Sequence, residues 1–511
     1  MAAHNPTFSK RQALRRAVVA VCLAAMAASA LIASPQEQVV RSFNKTLNWS
    51  GGTVRIDHSL GDLSVRTHKD SSVVIEATIQ AAASTKTEAT AIADAIHIET
   101  SSGPSGIVIR TDYGINDDER PGRRAHRSAS FQVNYRLIVP ESAPVSISNR
   151  FGSTSVASLA GPLAVSNGYG SVSIDDGRGP QNIDNAFGST SIRNVAGTIV
   201  ANTRNGSLAL DGVRGNVTAS NRFGSMSVNN VSGDATLSNA NGTLRVSNIS
   251  GSANVTNSFG PIDISDIRDK LQVASRNGDV MARKVGGDTA VQSTFGNITF
   301  NGLGGDVRIS STNSRISGSN VRGTLTIDNT FGDVQVSGIG GVTRISSPNG
   351  NITLSDVRAG AVVRGRQALV TATKIAGTLN VENANGGVKA SSIGGGADVK
   401  TSFAPVFIQD AASAVNVENQ NGSIEVKQLR WPPNKCNDIA LKTSFAAIAL
   451  EVPAGAGFTV DARTSFGTIS SALPMKASES DSSKSVKGTI GNGRCKLILV
   501  DQNGNIDITR E

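Results

Sequence analysis

Residues 187–240 decide the fold, because they read as three aligned 18-residue units: FGSTSIRNVAGTIVANTR, NGSLALDGVRGNVTASNR and FGSMSVNNVSGDATLSNA. The same spacing continues in both directions without slippage. The first residues of successive units are Phe151, Tyr169, Phe187, Asn205, Phe223, Asn241, Phe259, Asn277, Phe295, Asn313, Phe331, Asn349, Gln367, Asn385, Phe403 and Asn421. A fixed period of this kind indicates a solenoid, in which each unit packs on its neighbours.

Each unit combines two turns with two short strands. The second position is Gly in 12 of the 15 complete units, and the eleventh position, counted separately, is also Gly in 12 of 15. Glycine at fixed positions marks turns or close backbone approaches. Apolar residues two apart, as at Leu208, Leu210, Val217 and Ala219, predict strands with one buried face. Because one unit cannot bury that face alone, we expect parallel strands stacked about 4.8 Å apart. The predicted fold class is all-β: a parallel β-solenoid (β-helix) of 18-residue units with a small α+β N-terminal cap.

A second period of 36 residues overlies the first. Aromatic and Asn starts alternate, and arginine at the tenth position recurs mainly in the Asn or Tyr units, as at Arg178, Arg214, Arg322 and Arg358. The alternation fits 36 residues per coil, 18 per coil with alternating rows, or duplication of an ancestral 36-residue unit. Coil size and handedness stay open. These four arginines are candidate contacts for a polyanion such as an acidic glycan, with solvated turn residues as the plainer alternative.

The chain divides into four regions. Residues 1–34 are a signal peptide or membrane anchor, 35–145 an α+β N-terminal capping region, 146–429 the solenoid repeats, and 430–511 irregular terminal coils with a C-terminal cap. The leader has a basic stretch ending at Arg16 and an uncharged run from Ala17 to Ala33 with small residues, which is the plan of a signal peptide. An uncleaved anchor is the alternative, at the short limit for spanning a bilayer. Both predict export to the periplasm, cell envelope or cell surface.

Two cysteines, Cys436 and Cys495, remain after the leader. In an oxidising compartment they can pair and close a loop around the C-terminal region. Two buried, unpaired thiols are the alternative, because nothing in the sequence fixes the distance between them.

The repeats lack the residues that most catalytic sites need. All five His precede Phe151, and the chain contains neither a Gly-x-Ser-x-Gly elbow nor a Gly-Lys dipeptide for a phosphate loop. Asp288 and Asp306 each follow a Gly-Gly pair one unit apart. Such a pair can bind Ca²⁺ or perform acid–base work, but Asp is equally a common turn residue. We therefore assign no catalytic, cofactor-binding or metal-binding residue.

The net charge of the chain argues against nucleic-acid binding. The formal charge is +9, and Lys10, Arg11, Arg15 and Arg16 of the leader contribute four of these positive charges. The small remainder is spread over the other residues, which is weak grounds for a nucleic-acid partner.

The repeats also carry a family resemblance. The strand leading into VPESAPV at Val139–Val145, followed by units such as FGSTSV (151–156), NGSLAL (205–210) and NGTLRV (241–246), resembles the bacterial DUF4097 family, described as adhesins with β-strand repeats. The resemblance implies a cell-envelope β-solenoid and carries over no catalytic residue.

Together these features predict a non-enzymatic cell-envelope or surface β-solenoid that acts as an adhesin-like binding scaffold without a cofactor. Its partner would be a surface polymer, a protein or a second copy of the chain. A membrane would be contacted only through an uncleaved leader. The alternative is a carbohydrate-active β-helix enzyme of the polysaccharide lyase or hydrolase kind.

Overall fold

One coil of the solenoid is one 18-residue unit. The computed structural model describes residues 36–114, 129–432, 435–473, 476–477 and 484–511, so the predicted leader lies outside the described residues. Leu208 pairs in parallel with Met226, and Met226 pairs with Leu244. This register excludes 36 residues per coil. It confirms the predicted parallel β-solenoid.

Two parallel sheets, called here sheet A and sheet B, form the two walls of the solenoid. Sheet A contains positions four to nine of each unit, in strands Thr154–Ala157, Val172–Asp175, Thr190–Val195, Leu208–Val213, Met226–Val231, Leu244–Ile249, Ile262–Ile267, Val280–Val285, Ile298–Leu303, Ile316–Val321, Val334–Ile339, Ile352–Val357, Val370–Ile375, Val388–Ile393, Val406–Ala411, Ile424–Lys427 and Ile448–Val452. Sheet B contains the remaining strands, Val145–Phe151, Leu163–Tyr169, Gln181–Phe187, Ile199–Asn205, Val217–Phe223, Ala235–Asn241, Ala253–Phe259, Leu271–Asn277, Thr289–Phe295, Val307–Asn313, Leu325–Phe331, Thr343–Ser347, Ala361–Gly365, Leu379–Asn383, Ala397–Thr401, Val415–Asn419 and Ile439–Lys442.

The core is one continuous apolar column between the sheets. Leu208 and Val246 are both 1% exposed, as the alternating pattern predicts. Neighbouring coils also compensate for each other in volume. A Cβ atom added to Gly318 would lie 2.1 Å from the ring of Phe300, which therefore occupies the space above this glycine. Residue size in the core is thus set jointly by adjacent coils.

The corner at positions 17 to 2 is closed by buried asparagines and glycines. Glycines at the second position, such as Gly188, have positive φ, and a Cβ there would meet the glycine carbonyl of the preceding coil. The Nδ2 of Asn185 donates to the carbonyls of Gly170 at 3.2 Å and Gly188 at 3.0 Å. Side chains of this row also bond to each other, as where Asn167 donates to Asn185 at 3.2 Å. Most buried asparagines of this row, however, bridge backbone carbonyls of two coils, and in Asn149, Asn185, Asn239 and Asn257 both carbonyls belong to glycines. These bonds satisfy corner carbonyls that would otherwise stay unpaired.

The N-terminal region adds antiparallel strands and the single helix of the described residues. Its strands are Glu37–Asn48, Thr53–Leu60, Leu63–His68, Ser72–Ala83, His97–Gly103, Gly106–Asp112 and Ser130–Pro140, and the helix is Lys86–Ala95. Thr85 caps the helix by accepting a bond from the Glu88 amide. Leu60 pairs with Phe151 and Leu63 with Thr154. Residues 53–68 are therefore already a coil, on which the other N-terminal strands sit.

The C-terminal coils are stacked out of sequence order. The remaining strands are Phe458–Arg463, Ile469–Ser471, Lys476–Ala477, Ser485–Ile490, Cys495–Val500 and Ile506–Arg510. Cys495–Val500 pairs with both Ile439–Lys442 and Phe458–Arg463. Ile506–Arg510 pairs with both Ile448–Val452 and Ile469–Ser471. The last residues of the chain therefore form the penultimate coil, and residues 458–471 form the final one.

A disulfide joins Cys436 to Cys495, with Cα atoms 5.9 Å apart and a sequence separation of 59. It links the segment before strand Ile439–Lys442 to the strand that inserts beside it. Among the described residues, no helix is long and apolar enough to cross a membrane.

Candidate functional site: the corner groove and the aromatic ladder

Two surface rows stand out on the solenoid, one at each kind of corner. The corner groove consists of positions eight to ten, between sheet A and the next strand of sheet B. The aromatic ladder consists of the side chains at position one, where sheet B ends. Both rows run along the stack of coils, because every coil contributes the same position.

The corner groove is shaped by a column of residues in the left-handed region. Position eight has φ between 51° and 72° in every coil from Ser158 to Gln428. It holds Asn, Asp or Gly in 11 of these 16 coils, the residue types that tolerate this conformation. Lys284 and Lys374 adopt it nonetheless. The pairing of neighbouring coils thus imposes the turn, whichever residue is present.

Cations line the middle of this groove. Its open volume is about 1030 Å³ between the coils of Asp266 and Arg358, and Arg268, Lys284, Arg322 and Arg358 line it. Asp266 pairs with Lys284 at 3.4 Å. Among the described residues, Arg268, Arg322 and Arg358 form no salt bridge. The groove therefore presents three guanidinium groups that no carboxylate of the described residues neutralises.

The four arginines singled out from the sequence lie on the same corner, in two pairs. Arg322 and Arg358 lie in this groove two coils apart. Arg214 lines a second, smaller depression of about 360 Å³ on the same corner, and Arg178 is exposed two coils before it. Arg268, in the unit that begins at Phe259, lies between the two pairs, three coils from Arg214 and three coils from Arg322.

The two aspartates, Asp288 and Asp306, have a structural role in the chain. Asp288 accepts a bond from the Asp306 amide at 3.1 Å, and Asp306 accepts one from the Thr324 amide at 2.8 Å. The bond from Thr324 lowers the pKa of Asp306. Each carboxylate thus caps the backbone of the following coil. No cluster of three metal-ligating side chains occurs among the described residues.

One buried titratable group lies outside the repeats. His58 is 4% exposed and packs edge-to-face on Tyr135, with ring centroids 4.9 Å apart. Its Nδ1 lies 3.2 Å from both the Thr111 hydroxyl and the Tyr113 hydroxyl. Burial lowers the pKa of His58 to about 4. The imidazole is therefore neutral at ordinary pH and belongs to a buried polar cluster of the N-terminal region.

The aromatic ladder is a row of exposed apolar side chains. Its rings are between 39% and 79% exposed: Phe151, Tyr169, Phe187, Phe223, Phe259, Phe295, Phe331, Phe403, Phe445 and Phe466. Phe151, Tyr169 and Phe187 occupy consecutive coils and stack face to face, with centroids 4.9 Å and 4.7 Å apart. Beyond Phe187, asparagine occupies every second coil. Exposed apolar rows of this kind mark interaction surfaces.

Both surfaces have a signal in the sequence that periodicity alone does not resolve. The enrichment of Asn, Asp and Gly at position eight is the signal for the left-handed column, and Lys284 and Gln428 depart from it. The aromatic starts were visible, while their exposure was not, since a phenylalanine at a fixed strand position is equally a core residue.

Comparisons with known proteins bear on the repeats and the C-terminal coils. Residues 271–509 match the model of a family described as Toastrack DUF4097, which confirms the resemblance seen in the repeats. No curated protein matches the sequence. A solved structure described as a "putative cell adhesion protein" from Clostridium sporogenes is 10% identical, with a TM-score of 0.18, covering 48% of this chain and 99% of its own. At that score the likeness carries no argument.

Proposed function

We propose that this chain, which carries a DUF4097 domain over residues 271–509, is a non-enzymatic scaffold of the cell envelope that binds an anionic polymer along the corner groove. The observation that carries the proposal is the set of three guanidinium groups in one open groove, none of them paired with a described carboxylate. Arginine binds carboxylate, sulfate and phosphate groups in a bidentate manner, so such a groove suits an acidic ligand.

The shape of the groove favours a polymer over a small molecule. Arg268 lies three coils from Arg322, which lies two coils from Arg358, so the charges extend over about 24 Å along the stack. The groove is open along that length and enclosed nowhere. A linear polyanion can contact successive arginines as it follows the corner, and the combined contacts strengthen weak individual ones.

The chemistry of the groove supports a binding role without catalysis. Its aspartate, Asp266, already pairs with Lys284, and nearby Asp288 and Asp306 are bonded to backbone amides. The described repeats offer no imidazole base. Location in the envelope rests on the leader, whose basic and uncharged stretches fit an export signal.

Calorimetry with polygalacturonate tests the proposal, with uncharged pullulan as the control polymer. The double variant Arg322→Gln/Arg358→Gln should bind about 10-fold more weakly, since each exposed charge pair contributes about 0.7 kcal/mol. The matched control is Arg204→Gln/Arg364→Gln, because these arginines already pair with Asp184 and Glu382.

Three results would count against the proposal. An equal loss of affinity in the control variant would remove the groove as the binding site. Equal binding of pullulan would remove the requirement for charge. New reducing ends in the polygalacturonate would show an enzyme and overturn the non-enzymatic role.

A further inference from the structure

At the C-terminal end of the solenoid, the aromatic ladder alternates in space although it does not alternate in sequence. Along the chain, the last position-one residues are Phe445, Phe466 and Asn503. Because the coil of residues 495–510 inserts between the coils of Phe445 and Phe466, the spatial order is phenylalanine, asparagine, phenylalanine. Duplication of a 36-residue unit copies an order along the chain and does not account for this arrangement. The alternation is therefore a property of the folded surface.

Folding of the solenoid does not require the alternation. Phe151, Tyr169 and Phe187 show that rings on consecutive coils stack within 10° of parallel, 4.7–4.9 Å apart. The asparagines bond to the backbone instead: the Nδ2 of Asn241 donates to the carbonyl of Arg222 at 3.3 Å, and that of Asn503 donates to Ser444 at 3.1 Å. Neither contact depends on a phenylalanine in the next coil.

What the alternation creates is a series of slots. Phe223 and Phe259 lie two coils apart, about 9.6 Å at the usual strand spacing. Between them Asn241 is half-buried and shorter than a ring, so the outer part of the slot is open. The stacked trio shows what fits such a slot, because Tyr169 fills the same space between Phe151 and Phe187.

We infer that a second copy of this chain docks on the ladder, with its phenylalanines inserted into the slots above the asparagines. A second copy has the same 36-residue repeat, so the spacing of its rings equals the spacing of the slots over any number of coils. A different polymer would fit successive slots only if its own repeat length matched the spacing of two coils. The same patch on both copies gives a self-complementary interface, as in a two-fold dimer.

The size and surroundings of the ladder suit such an interface. Half-exposed rings each offer about 100 Å², so five rings from Phe187 to Phe331 on two copies contribute about 1000 Å². That is close to the lower end of stable interfaces, roughly 1200 Å², before the flanking surface is counted. A concave strip of about 730 Å³ borders the ladder and is lined mostly by Ser, Thr and Asn. A polar margin of this kind is typical of an interface rim.

Two variants of the exported chain, compared by light scattering after size-exclusion chromatography, test the inference. The ring-free variant Phe223→Asn/Phe259→Asn/Phe295→Asn uses the residue that the alternate coils already carry, and should weaken dimerisation at least 100-fold. The slot-filled variant Asn241→Phe/Asn277→Phe/Asn313→Phe continues the stacked trio. It should also lose the dimer, although its surface is more apolar.

The slot-filled variant distinguishes insertion of rings into slots from non-specific hydrophobic association. If it associates as strongly as the natural chain or more strongly, the rings act only as an apolar patch and the inference is wrong. A natural chain that stays monomeric at high concentration overturns it too, as does a ring-free variant that still dimerises. A monomeric natural chain that binds soluble β-glucan through Phe259 would assign the ladder to a glycan. Circular dichroism checks that each variant is folded.

Discussion

Two glycines of one coil, Gly296 and Gly302, should differ in how much their substitution destabilises the fold. Both have positive φ, +116° and +71°. A Cβ atom at Gly296 would lie 2.3 Å from the carbonyl oxygen of Gly278, whereas at Gly302 the nearest atom is 3.8 Å away. Position eight also accepts other residues in the neighbouring coils, as Asn320 shows with φ of 59°.

The two costs follow from this geometry. Gly296→Ala adds backbone strain of about 1–3 kcal/mol to overpacking of about 1–3 kcal/mol, so we expect a loss of about 2–6 kcal/mol. Gly302→Asn should change stability by less than about 0.5 kcal/mol, because asparagine tolerates the left-handed region and meets no neighbour.

Hydrogen exchange read out on strands Thr289–Phe295 and Ile298–Leu303 is the suitable assay, since a solenoid can open locally without unfolding throughout. Gly296→Ala should accelerate exchange there and leave strands near Leu208 unchanged. Equal effects of the two substitutions would refute the reasoning that contact with the preceding coil, and not positive φ alone, demands glycine at position two.

Three further substitutions or conditions probe the core, the disulfide and the N-terminal region. Gly318→Val should cost about 1–3 kcal/mol by overpacking against Phe300, and the double variant with Phe300→Val should recover most of that loss in a denaturation-based mutant cycle. Reduction of the Cys436–Cys495 disulfide releases a 59-residue loop and should destabilise the C-terminal coils by about 4 kcal/mol, seen as faster exchange in strand Phe458–Arg463. The unfolded chain protonates His58 near pH 6.5 and the folded chain only near its pKa of about 4, so stability present above pH 6.5 is lost on acidification. The loss should reach about 3 kcal/mol near pH 4 in thermal melts, and His58→Phe should remove that part of the pH dependence.

The sequence predicted those features that repeat, and missed those that depend on which coils meet. An unbroken spacing of 18 fixed the strands and the glycine corners, because every unit faces the same neighbours. Coil size stayed open, since the alternation of Phe and Asn fits 18 or 36 residues equally well. The pairing register of Leu208 with Met226 decided it.

The C-terminal stacking order could not be predicted for a physical reason. The unit that begins at Asn503 has the same Asn-Gly start and apolar alternation as any other unit, so its local signals fit any place in the stack. Its place is set by long-range pairing with strands Ile448–Val452 and Ile469–Ser471. The arginine row was likewise grouped by unit type, which left out Arg268, the member that lies between the others.

Because each coil of the regular repeats between Phe151 and Asn421 bonds only to the coils 18 residues away, this part of the chain can lengthen or shorten by whole coils without disturbing those that remain. Removal of 36 residues would take about 9.6 Å from the rod and keep odd and even coils in phase. Removal of 18 would bring two like residues, two phenylalanines or two asparagines, onto adjacent coils at the junction. Insertion or removal of an even number of coils therefore keeps the alternation of phenylalanine and asparagine at position one, whereas an odd number interrupts it.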